Sequence, residues 1–157
     1  MNEAIRLLQA EITADLATIE QIFVRLNEAW QADDMAEREI VAGYYLNVLY
    51  GQFENMFERI AERFGNQIKN RTQWHAQLLK RMTLDVPDVR PAVIGSETFA
   101  HLNELRRFRH VFRNAYLLTF DPRRMVIVMD EARALRQVYR ADIERFMRFL
   151  DSLVGDG

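Results

Sequence analysis

The segment Arg106-Arg107-Phe108-Arg109-His110-Val111-Phe112-Arg113-Asn114-Ala115-Tyr116 holds four arginines, a histidine, an amide and a phenol within eleven residues. Guanidinium groups held beside large apolar side chains are suited to a planar, doubly acidic partner, and phosphate is the commonest. If the segment is helical, Arg109, Arg113 and Tyr116 lie at about 0°, 40° and 340° around the axis, at 100° per residue. They share one face, beside the Phe108/Phe112 stripe. Asn114, at about 140°, falls at the helix end. Arg109 could grip a phosphate, with Arg113 and Arg106 nearby, His110 on the flank and the Tyr116 hydroxyl as a donor. Such a site could hold an RNA backbone without a metal. Arginines on a helix face can equally pair with acids of a neighbouring helix, and both readings stand at this point.

Composition narrows the choice. A chain of 157 residues, 49% apolar and 28% charged, reads as one globular domain over 1–157. The absence of cysteine rules out disulfides and thiolate metal sites, and no other pattern calls for a metal or cofactor. Apolar runs are too short for a membrane span, and the N-terminus lacks the basic-then-apolar order of a secretory signal. A cytoplasmic protein with no membrane partner is expected. Charge is uneven: residues 1–68 carry five basic and twelve acidic side chains, residues 104–157 eleven and eight. Arginine outnumbers lysine nineteen to two. That bias fits bidentate anion recognition, and it also fits a genomic base preference.

The scaffold reads as all-α, an antiparallel bundle of four long helices plus one short one. Ile5, Leu8, Ile12, Leu16, Ile19, Ile22/Phe23 and Leu26 form one stripe of a first helix over Glu3–Gln31. Asp33-Asp34 can cap a second over Met35–Phe64, with Ile40, Tyr44, Leu46/Val48, Tyr50/Phe53, Phe57, Ile60 and Phe64 inward. Gly43 and Gly51 share nearly one face and would allow a close helix approach, and Gly65-Asn66 is a stop signal. A short helix over Arg71–Met82 carries Trp74, Leu78, Leu79 and Met82. Pro87 and Pro91 forbid a regular helix across 83–95, although Val86, Val89, Val93 and Ile94 should pack down. With Ser96 as N-cap, a fourth helix runs over Glu97–Ala115 on Phe99, Leu102, Leu105, Phe108, Phe112 and Ala115. Asp121-Pro122 starts the last. It ends near Leu153, with Met125, Val128/Met129, Ala132, Leu135, Val138/Tyr139, Ile143, Phe146, Phe149/Leu150 and Leu153 inward.

Arg109-x4-Asn114-x-Tyr116 resembles the Arg-x4-His-x-Tyr signature of HEPN-domain ribonuclease toxins, the HepT partners of HepT/MntA toxin–antitoxin pairs of type VII. The similarity is greatest to the HepT-like proteins common in cyanobacteria. It extends to Trp74-His75 with Leu78-Leu79, to Arg90-Pro91-Ala92-Val93-Ile94 and to Asp121-Pro122. The resemblance implies a metal-independent endoribonuclease acting on RNA, tRNA among the possible targets, as a homodimer with a composite cleft. Arg109 would then hold the scissile phosphate, and the motif histidine would move a proton for the ribose 2′-hydroxyl. A MntA-type nucleotidyltransferase antitoxin would silence the toxin by AMPylation of Tyr116.

Position 114 departs from that pattern. It is asparagine, which has no pKa near neutrality and cannot shuttle a proton. Neither His110, His101 nor His75 has an arginine at the spacing the motif requires. Losing acid–base help costs about 10²–10⁴ in rate, so the expectation is a ribonuclease architecture with an impaired site. An inactivating substitution or natural decay would leave the same trace. The alternatives are a non-catalytic helical dimer that binds a nucleotidyltransferase or RNA, and a purely structural bundle.

Overall fold

The computed structural model describes residues 2–65, 68, 72–113 and 121–155. Five helices follow in order: α1 Asn2–Trp30, α2 Met35–Arg63, α3 Trp74–Arg81, α4 Ser96–Arg113 and α5 Pro122–Gly155. The chain is all-α, and among the described residues it has no sheet, only an isolated bridge between Val86 and Arg90. α1 packs along α2 and α4 along α5, while α2 also meets α4 and carries the short α3 at that junction.

Each long helix forms because its apolar residues recur at helical spacing and find a second stripe to bury against. The α1 stripe is buried as the spacing implies, from Ile5 to Leu26. Asp15 interrupts it, and its carboxylate accepts from Gln52 (2.8 Å) and Arg59 of α2. Tyr139 of α5 stacks on Phe23 of α1 and meets Phe53 of α2 edge-on, with ring centroids 5.8 and 5.2 Å apart. Such pairs add about 0.5–1.5 kcal/mol each beyond area burial.

The first turns of α2 depart from expectation. Ile40 and Tyr44 are 39% and 54% exposed, and Ala42 faces inward in their place, beside Gly43 and Leu46, which are buried as expected. The cause is the close approach of α4: a Cβ built on Gly43 would stand 2.9 Å from Phe112. Small residues therefore take the contact and the larger ones turn outward. Gly43 and Gly51 do face α4 together, the second beneath Arg109.

Helix ends show how the rest is set. Asp34 caps α2 by accepting from the Glu37 N–H at 2.9 Å, and Gly65 follows the helix at φ 73°. α3 starts at Trp74, later than expected, because Gln73 holds φ 59°, a left-handed value outside any α-helix. Ser96 is the first helical residue of α4 rather than its cap. Asp142 of α5 supplies the acceptor there, taking the Gly95 N–H (2.9 Å) and the Thr98 hydroxyl (2.6 Å). Asp121 accepts from the Arg123 N–H at the start of α5. Val89 and Leu153, expected inward, line a shallow groove with Phe149 instead. Val93 and Ile94 pack down as expected. No helix among the described residues is long and apolar enough to cross a membrane.

Candidate functional site

Asn47, Tyr50, Gly51 and Glu54 stand at intervals of three, one and three residues, which places them on one stripe of α2. Arg109 of α4 lies across that stripe. Its Nε donates to Asn47 Oδ1 at 3.0 Å and its Nη1 to Glu54 Oε1 at 3.1 Å. The guanidinium sits 5.8 Å from the centre of the Tyr50 ring, and Gly51 leaves room beside it. Two side-chain acceptors and an aromatic face fix its position, which saves the entropy of ordering a long side chain later.

Glu54 is the hub. Only 5% exposed, it would be costly to leave unpaired. Besides Arg109 it meets His75 of α3, with Nδ1 and Oε2 2.7 Å apart, and its charge acts on the Tyr50 hydroxyl. Burial first, and the Glu54 charge second, raise the Tyr50 phenol far above its usual range, so it stays protonated.

These groups form the wall of a cleft of about 230 Å³ lined by Tyr50, His75, Arg106, Arg109, His110 and Arg113. Four of the expected phosphate-site residues (Arg106, Arg109, His110 and Arg113) are therefore brought together. Arg107 points away and faces Glu104 across 3.6 Å at the surface. Arg106 donates to Asn103 Oδ1, and among the described residues neither it nor Arg113 meets a carboxylate. Three guanidinium groups line the cleft, and the nearest carboxylate, Glu54, stands behind them and is already shared between Arg109 and His75. The excess positive charge suits an anion. Arg109 thus pairs with a carboxylate of a neighbouring helix and also opens on the cleft.

Asn114 and Tyr116 lie outside the described residues, as does the connector that follows. No group of three His, Cys, Asp or Glu side chains converges as metal ligands would among the described residues. His101 belongs to another contact, 2.6 Å from Glu131 between α4 and α5. Sequence reasoning missed Asn47, Glu54 and His75 as members of the site, and took Tyr50 for core alone. One signal was available: Glu54 falls between Phe53 and Phe57 on an otherwise apolar face, where a carboxylate needs a partner.

A family model described as HepT-like protein matches residues 41–150, which span every residue of the cleft wall. No curated protein and no solved structure matches the chain.

Proposed function

Since the chain belongs to the HepT-like family, we propose that it is the ribonuclease toxin of a HepT/MntA-type pair, slowed by the asparagine at position 114. The observation that carries this reading is Arg109, fixed from behind by Asn47, Tyr50 and Glu54 while it lines a cleft with Arg106 and Arg113. A phosphodiester lying there receives preset positive charge, which gains strength as phosphorus becomes five-coordinate and its oxygens more negative. The 2′-oxygen attacks the adjacent phosphorus, the bond to the 5′-oxygen breaks, and a 2′,3′-cyclic phosphate and a 5′-hydroxyl result.

Two copies would share the work. Exposed Ile40 and Tyr44 on α2 and Val111 on α4 belong to the helix pair that bears the cleft, and support its role as the face between protomers. Tyr116, two residues past Asn114, is the AMPylation position for a MntA-type nucleotidyltransferase; an added phosphate and adenosine would occupy the RNA path.

Asn114→His tests the reading. It should raise cleavage of a mixed-sequence RNA pool by about 10² or more, and Arg109→Ala should remove cleavage in both backgrounds. A second reading is favoured by Asn114 itself: a dimer that binds RNA or the nucleotidyltransferase without cutting. RNA binding lost in Arg109→Ala, with no cleavage even by Asn114→His, would establish that reading instead.

A further inference from the structure

With asparagine at position 114, the cleft needs another group to take the proton of the attacking hydroxyl. Its wall offers three titratable candidates besides the arginines: Tyr50, His75 and His110. Tyr50 is fully buried and held protonated, so it cannot accept. His110, exposed as His75 is, lines the cleft from α4, the helix that carries Arg109 itself. His75 is placed differently, on a separate helix and on the same carboxylate as Arg109.

We propose that His75 accepts the 2′-hydroxyl proton in this chain and that Glu54 is its positioning residue. This rests on the ribonuclease reading above. A carboxylate that accepts from a guanidinium is in its acceptor-only form, so the 2.7 Å contact makes His75 Nδ1 the donor. The lone pair of the neutral ring is then on Nε2. The ring is 47% exposed and lines the cleft, so Nε2 is the nitrogen left for a substrate. The Trp74 ring meets it edge-on, 4.7 Å between centroids, and restricts its rotation. One oxygen of Glu54 sets the phosphate-binding arginine and the other sets the base, so a single buried group fixes their separation.

The proton count closes. Nε2 takes the 2′-hydroxyl proton as the oxygen bonds to phosphorus; the imidazolium is stabilised by Glu54, as an orienting carboxylate stabilises a catalytic histidine. The departing 5′-oxygen takes a proton from water, and His75 returns its own to solvent. Tyr50 and Glu54 from α2 and Arg106, Arg109, His110 and Arg113 from α4 are the charged or titratable groups around the ring and the cleft it lines.

The test is steady-state cleavage of a mixed-sequence RNA pool by the full chain and its variants. His75→Ala should lower kcat by about 10²–10⁴ with KM little changed, and imidazole in the buffer should restore part of the loss. Glu54→Gln should lower kcat more in the parent than in His75→Ala, where only its hold on Arg109 is left to lose. His110→Gln should cost less than His75→Gln. Parent-like cleavage by His75→Ala, or a loss that imidazole does not relieve, overturns the assignment while Arg109→Ala still upholds the ribonuclease reading. If the parent cuts no RNA while Asn114→His does, the His75 assignment falls and the ribonuclease reading stands; if neither cuts, both fall together.

Discussion

Arg90 and Arg109 are two guanidinium groups taken out of water, and they are used in opposite ways. Arg90 is only 3% exposed, in the segment between α3 and α4. Its Nη1 donates to the carbonyl oxygens of Leu84 and Pro91 and its Nη2 to that of Arg81, at 3.1–3.2 Å. Burial lowers its pKa, and the charge of Asp85 partly offsets the effect. Arg109 ends on side chains instead and keeps one side on a cleft. A guanidinium that closes on backbone carbonyls staples a loop with two prolines, which cannot form a regular ladder. One that closes on a shared carboxylate beside open space is aimed.

Substitutions that keep the charge and remove the fork should separate these roles. The largest effect expected is on Arg109→Lys, which retains a cation but cannot hold Asn47, Glu54 and a phosphate at once. Cleavage should fall by about 10²–10³ with the melting temperature close to the parent's. Arg90→Ala should do the reverse. Three carbonyls lose a buried donor, costing about 3 kcal/mol, or ~10 °C in Tm for a domain of this size, while each folded molecule still cuts at the parent rate. Equal damage to both properties in either variant would break the distinction.

Smaller changes refine it. Asp142→Ala removes the acceptor at the start of α4 and should cost about 1 kcal/mol in chemical denaturation. At the glycines the arithmetic differs between two neighbouring sites. Gly51→Ala meets Arg109 at an ordinary 3.8 Å and should gain the ~0.5–1 kcal/mol that alanine brings to a helix interior. Gly43→Ala meets Phe112 at 2.9 Å, and crowding of about 1–3 kcal/mol outweighs that gain. A stabilised Gly43→Ala would show that Phe112 moves freely and that α4 is not seated there.

Much of this was legible in the sequence. The stripes of α1 and α5 leave only one face to bury, and periodicity found them. α2 carries apolar residues on two faces in its first turns, so Ile40 and Tyr44 were as plausible inward as Ala42. What decides between them is the distance of α4, which periodicity does not encode. Nor does any residue type announce the left-handed Gln73. The cleft divides in the same way. Arg106, Arg109, His110 and Arg113 lie within one helix, where spacing alone sets their directions. Asn47, Glu54 and His75 join them from two other helices, and only packing brings those together.

α4 is held at two places, by Asp142 at Gly95 and Thr98 and by the α2 stripe at Arg109. The residues between act as a spacer of defined length and phase. Removing one would turn Arg109 by about 100° relative to the anchored end and draw it back ~1.5 Å, away from Glu54 altogether. The stretch from Thr98 to Arg109 can therefore exchange its exposed side chains far more readily than it can change in length.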